Sequence, residues 1–282
     1  MFSWWEESGL TSLQQVLLPD CPGLDWSSLP RSVHPEAGSL PPERLERKCG
    51  QLSSLASPLS LLARPGSLIV DFCSGGGHLG LLLAHLLPAA TVHLVENKEE
   101  SLARARVRGQ QMSLSNVWFY QSNLEFYRGT FNIGNLSLQP RAGQTKSLLL
   151  SGTSLHACGA ATDLVIAKCL QHRAAFVSCP CCYGGISTSL GVVRYPRSQV
   201  FRSSTLPEEG YEVLAHCADQ THAGDIKSEQ GYRAMDIVDT DRCEAVREEG
   251  YEVTLSKLHP QDCTPKNNLI VGRPISQNSR ES

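Results

Sequence analysis

The run Ser67-Leu-Ile-Val-Asp-Phe-Cys-Ser-Gly-Gly-Gly-His-Leu-Gly80 leaves this chain few folds to choose from. Leu68, Ile69 and Val70 form a short apolar, largely β-branched run, the pattern of a parallel strand buried on both faces. Asp71 follows, then Gly75, Gly76 and Gly77, then a leucine-rich segment from Leu79 to Leu87 that Pro88 closes. The order is strand, glycine turn, helix. A turn without Cβ atoms allows positive φ and lets the backbone approach a ligand. The helix beyond it presents N–H groups that lack helical partners. Thr91-Val-His-Leu-Val-Glu96 reads as a second strand ending in a carboxylate. An acid about twenty residues beyond such glycines accepts the hydroxyls of a ribose.

The rest of the chain continues the alternation. Strands are predicted at Val117–Gln121, Ala174–Ser178, Tyr251–Leu255 and Asn268–Gly272, the last two as a closing antiparallel pair. Helices are predicted at Glu43–Ala56, from Asn97 as N-cap to Met112, and at Ala160–His172, Glu208–Cys217 and Tyr232–Glu249. Arg44, Arg47 and Lys48 read as a solvated face of the first helix, and Asp163 and Lys168 as outward residues of the third. Such alternation gives an α/β fold with a doubly wound sheet, whose ligands bind beyond the strand C-termini. A fourth strand begins near Phe131. Residues 135–154 do not continue it, and either Leu155–Gly159 completes it or Ser147–Leu150 replaces it. Residues 1–63 read as an N-terminal helical and Pro/Ser-rich arm, 64–274 as the main domain, and 275–282 as a disordered tail.

The 41% apolar content supports a real core, and a net charge of −3 provides no global basic field for nucleic acid. Met1-Phe-Ser-Trp-Trp-Glu-Glu lacks the basic start of a secretory signal, and no apolar run reaches the length of a membrane span. The 11 cysteines are therefore expected to be reduced thiols in the cytosol or nucleus.

The loop Asp71-Phe-Cys-Ser-Gly-Gly-Gly77 resembles the D-x-G-x-G-x-G loop of S-adenosylmethionine-dependent methyltransferases, with Cys73 where the first glycine usually stands. Four more runs join it: Val95-Glu-Asn-Lys, Leu155-His-Ala-Cys-Gly-Ala-Ala-Thr-Asp163, Cys179-Pro-Cys-Cys-Tyr-Gly184 and Lys266-Asn-Asn-Leu-Ile-Val-Gly272. Together they make residues 25–275 similar to the methyltransferase-like portion of the glutathione S-transferase C-terminal domain-containing family. More distantly, His156-x-Cys-Gly-x-x-Thr-Asp163 and Cys181-Cys-Tyr183 resemble a tRNA 2′-O-methyltransferase group.

The resemblance implies a class I, Rossmann-like methyltransferase fold, a cytoplasmic protein and S-adenosylmethionine as cofactor. Asp71, Cys73, Ser74, Gly75, Gly77, Glu96, Asn97, Asn123 and Leu124 would bind it, with Asn123 facing the adenine. RNA is the acceptor that the distant resemblance implies; a domain that binds without catalysing is the alternative. The family has no counterpart of residues 135–154, which reads as an atypical insert of splice or retained-intron origin.

His156 is the candidate general base, against a structural histidine bonded to backbone. Tyr183 is the candidate platform for a planar acceptor, against a core tyrosine. No D/N-P-P-Y/F loop follows the fourth strand, and Pro180-Cys181 supplies only the letters of a cysteine nucleophile. A zinc site of His156, Cys158, Cys181 and Cys182 is not assigned. Cys-Pro-Cys-Cys lacks the C-x₂-C spacing, and adjacent cysteines rarely face one ion. Buried reduced thiols are expected instead.

Overall fold

The structure, a computed structural model, describes residues 24–38, 40–122, 150–187, 193–204, 206, 208–221 and 227–275. Seven strands form one sheet. They are β1 (Leu68–Phe72), β2 (Thr91–Glu96), β3 (Val117–Gln121), β4 (Leu150–Cys158), β5 (Ala175–Cys181), β6 (Tyr251–Lys257) and β7 (Asn268–Pro274). Their order is β3-β2-β1-β4-β5-β7-β6. The first five are parallel and β7 is antiparallel to both β5 and β6, so the fold is α/β with the expected closing pair. The strand order reverses between β1 and β4, the position where such sheets hold ligands.

Every residue of β1 is buried, because helices cover both faces. On one face Ile69 packs with Leu52, Leu55 and Leu59 of α1 (Pro42–Leu62), Leu81 and Leu82 of α2 (His78–Leu86), and Leu102 and Ala105 of α3 (Glu99–Gln111). On the other, Leu68, Val70 and Phe72 meet Val165 and Ile166 of α4 (Ala160–Gln171) and Cys243 and Val246 of α7 (Ser228–Glu248). Between α4 and α7 in sequence lie a single turn, α5 (Gln199–Arg202), and α6 (Glu208–Ala218). Helix α1 is thus a layer of the domain rather than part of a free arm. It also runs past the expected end at Ala56 and through Pro58. A proline inside a helix costs about 3 kcal/mol, and burial of Leu59, fully enclosed in the core, offsets that.

Two further expectations are corrected. Residues 150–154 are the first half of β4 and pair with β1 and β5, so the atypical stretch ends as sheet. Asp163, expected outward, is buried against Arg242. The cause is long-range: α7 presents a fully enclosed guanidinium. Its Nε and Nη2 donate to Asp163 at 3.1 and 2.7 Å and its Nη1 to Asp239 at 2.9 Å. Burial alone would raise the Asp163 carboxyl, but Arg242, with Arg197 and the Tyr195 hydroxyl, holds it below its ordinary value. Tyr195 donates to Asp163 at 2.7 Å, and Tyr183 and Asn268 donate to Asp239 at 2.6 and 2.7 Å.

Removing one member of such a set strands the others. Arg242→Met should lower unfolding stability by about 3–5 kcal/mol, because Asp239 loses its cation in a dry environment and Asp163 keeps only Arg197, 3.3 Å away. Urea denaturation checks this. A loss below about 1 kcal/mol would mean that the ion pair is nearly neutral to folding.

Candidate functional site

The glycine loop is held by two carboxylates. Asp71, at the end of β1, accepts from the Gly80 N–H at 2.9 Å and so binds the first turn of α2. Glu96, at the end of β2, accepts from Gly75 N–H at 2.8 Å through one oxygen, and from Asn97 and Lys98 N–H at 3.0 Å through the other. Lys98, not Asn97, is the N-cap of α3, and Glu96 holds the two residues that lead into that helix. Cys73 has φ +53°, the left-handed conformation that glycine adopts most easily, which explains how it stands in for the family's first glycine. Burial, with Glu96 and Asp71 nearby, pushes its thiol up to about 12.

The glycines divide by what surrounds them. A Cβ on Gly77 would fall 2.5 Å from Leu94 and 2.8 Å from Ala105, so this position is needed for packing. A Cβ on Gly75, at φ +54°, would meet nothing within 4 Å. Beside it, the Ser74 hydroxyl is buried without a hydrogen-bond partner. Open space at Gly75 and an unpartnered buried hydroxyl at Ser74 thus stand at neighbouring positions of the loop.

Sequence reasoning overlooked what α1 and α3 bring. Lys48, expected in solvent, turns inward, where its charge faces Asp71 and burial lowers its pKa. Gln51 donates through Nε2 to the Cys263 carbonyl at 3.0 Å, leaving its Oε1, 3.0 Å from His156 Nε2, to accept. That pairing puts the His156 proton on Nε2 and the free lone pair on Nδ1. Burial, helped by Lys48, pulls His156 down to about 4, so the ring is neutral at pH 7. Arg108 lies under the loop, with Nη1 2.9 Å from His78 Nδ1. Burial and this cation together bring His78 down to about 3. Only the inward direction of these side chains was missing from the sequence, and no local pattern carries it.

Tyr183 is corrected as an acceptor platform. It is 0% exposed, its hydroxyl is committed to Asp239, and its ring lies under the guanidinium of Arg242, 5.5 Å away. No planar ligand reaches that ring. Cys179, Pro180 and Cys181 belong to β5 rather than to a loop. Cys158 and Cys182 are exposed rather than buried. Asn123 and Leu124 lie outside the described residues, as do residues 1–23 of the expected N-terminal arm. Asp71, Cys73, Ser74, Gly75, Gly77 and Glu96 come together as expected, and His156 lies at the end of β4, next to β1.

The family model described as a methyltransferase domain matches residues 47–189. The chain is 45% identical over 260 residues to the glutathione S-transferase C-terminal domain-containing protein of Mus musculus, covering 90% of this chain and 38% of that one. It is 43% identical over 261 residues to the homolog in Drosophila melanogaster, covering 90% of this chain and 41% of that one. The chain thus spans well under half the length of the curated relatives it matches. Among solved structures it is similar to a putative O-methyltransferase from Klebsiella pneumoniae, with 15% identity and a TM-score of 0.47, covering 92% of this chain and 93% of that one. Among the described residues no helix is long and apolar enough to cross a membrane.

Burial raises the Asp71 carboxyl to about 7, against the lowering effects of Gly80 N–H and Lys48. In the unfolded chain it titrates near 3.9. Folded protein therefore keeps this proton where unfolded protein releases it. The Asp71 contribution to stability is full below about pH 4 and is lost as pH rises through about 7. The depressed His78 and His156 act in the opposite sense, losing stability as pH falls below about 6.5, so a difference measurement is needed. Asp71→Asn mimics the protonated acid. Its stability relative to wild type should climb from about pH 4 to about pH 7 and then level off. A pH-independent difference in urea midpoints would show that the carboxyl is not raised.

Proposed function

The chain belongs to the methyltransferase-domain family, and on that premise we propose that it binds S-adenosylmethionine over the Cys73–Gly77 loop and serves as a methyltransferase. The observation that supports this most is the unpartnered Ser74 hydroxyl beside the open face of Gly75. When bound, the cofactor supplies a methyl group on a sulfonium sulfur for in-line displacement by an acceptor. Ser74 is the donor for a polar group of the ligand, and Gly75 leaves the room. A carboxylate offers about four lone-pair sites. Three of those on Glu96 are engaged by N–H groups, which leaves capacity for a ribose hydroxyl. Asp71 fixes the α2 N-terminus behind the loop. Asn97, Asn123 and Leu124 complete the cofactor set in this reading.

RNA is the proposed acceptor class, on the strength of the motifs around His156 and Cys181–Tyr183, and the cytoplasm the proposed location. His156 Nδ1, neutral and unprotonated, is the group available to take the acceptor's proton. A second reading, cofactor binding without turnover, is favoured by the buried Tyr183 and by the low basicity of His156.

Calorimetry and a transfer assay with methyl-labelled cofactor separate these readings. Binding together with label in RNA supports the first; binding with no label in RNA or protein selects the second; no binding retires both. Glu96→Ala should weaken S-adenosylmethionine binding by roughly 1–3 kcal/mol, since the loop N–H groups and the ribose lose a charged acceptor. Unchanged affinity in the folded variant would remove that assignment. Gly75→Val should abolish binding, because its side chain fills the open face from a backbone already at positive φ.

A further inference from the structure

Three thiols that the proposed methyl transfer does not use meet at the C-terminal edge of the sheet. Cys158 ends β4, Cys181 ends β5, and Cys182 follows. Cys158 Sγ is 3.3 Å from Cys181 Sγ and 3.2 Å from Cys182 Sγ, and the three sulfurs all lie within 4.8 Å of one another.

Two backbone devices gather them. Pro180 has no N–H to give to the β4–β5 ladder, and the ladder accordingly carries a bulge: Leu155 pairs with Cys179 and Ala157 with Pro180, leaving His156 as the extra residue, at φ +66°. Were His156 instead paired with Pro180 in regular register, Cys158 would lie opposite Cys182 and face the other side of the sheet from Cys181, because strand side chains alternate. With the bulge, Cys158 pairs directly with Cys181. Neighbours in an extended chain also point to opposite faces. Cys182 breaks that rule with φ +51° and ψ +56°, which swings its sulfur back toward the other two.

The sulfurs are spaced for ligation. Zinc–sulfur bonds of about 2.3 Å at tetrahedral angles set sulfurs about 3.8 Å apart, within about half an ångström of the two short distances here. A disulfide would require about 2.0 Å. We infer that Cys158, Cys181 and Cys182 form a three-thiolate site for a thiophilic cation, Zn²⁺ by coordination preference, with a fourth position open to solvent. Exposure of Cys158 and Cys182 leaves that position free, the arrangement of sites that receive an exchangeable ligand. Among the described residues the cluster comprises the three cysteines and does not include His156.

The test is cobalt titration of the full, reduced chain under anaerobic conditions, followed by competition with Zn²⁺. One equivalent of Co²⁺ should produce thiolate-to-cobalt charge-transfer absorption and the visible bands of four-coordinate cobalt, both erased by Zn²⁺. The double variant Cys158→Ser/Cys182→Ser, at exposed positions where folding is undisturbed, should lose both signals and keep its melting temperature. Cys217→Ser should retain them. Absence of the bands in wild type, or their persistence in the double variant, overturns the site. So does a Cys158 disulfide, seen by mass spectrometry, that forms in place of metal uptake. S-adenosylmethionine binding by the same double variant reports on the methyl-donor reading separately.

Discussion

The loop between β1 and α2 is fastened at both ends by carboxylates, and the geometry of the site depends on that fastening. Asp71 ties the end of β1 to Gly80, and Glu96 ties the end of β2 to Gly75. Hydrogen bonds of this kind contribute about 0.5–1.5 kcal/mol each, and more where the acceptor is charged. They also settle the direction in which α2 leaves the sheet, and thereby where Ser74 and the open face of Gly75 point. Gly77 makes the clamp sterically feasible, since any side chain there would overlap Leu94 and Ala105. The loop is thus shaped before any ligand arrives, and binding need not order it.

Backbone strain marks the same region. Five described non-glycine residues have positive φ: Cys73, Ser113, His156, Arg173 and Cys182. Ser113 and Arg173 directly follow the C-caps of α3 and α4, a position where left-handed residues routinely end helices. The other three have no such explanation. They stand after β1, within β4 and after β5, at the ends of adjacent strands, and each re-aims a side chain or a turn toward the shared edge. Strain of this kind persists only where its surroundings impose it, and it concentrates at functional sites.

The sequence carried the parts of this architecture that are local. Leu68–Phe72, the glycines, the leucine-rich helix and Glu96 follow one another within thirty residues or so, and the spacing alone implies the strand–loop–helix–strand unit. What was illegible depends on distant partners. Asp163 looks like an ordinary polar helix residue until Arg242 arrives from α7. Lys48 looks solvated until α1 packs across the end of β1. Tyr183 reads as a platform because the sequence cannot show Asp239 beneath it. The His156 bulge is invisible because it is a property of two paired strands, and without it the cysteines appear unable to converge.

The turn that carries Cys182 is held from two sides. Asp219, just beyond α6, accepts from Tyr183 N–H at 2.9 Å and Gly184 N–H at 2.7 Å, so one carboxylate grips the backbone immediately after the left-handed residue. Lys266, 3.1 Å from that carboxylate, anchors it in turn from the segment before β7. From below, Tyr183 fills the core and its hydroxyl is bound to Asp239, which Arg242 neutralises. Relaxing Cys182 to an extended conformation would break both Asp219 contacts and pull Tyr183 from its partner. The cost of a left-handed cysteine, on the order of 1–2 kcal/mol, is smaller than what those contacts hold. The buried charge network around Arg242 therefore works at a distance: by fixing Tyr183 and its neighbours, it keeps the Cys182 sulfur pointed at Cys158.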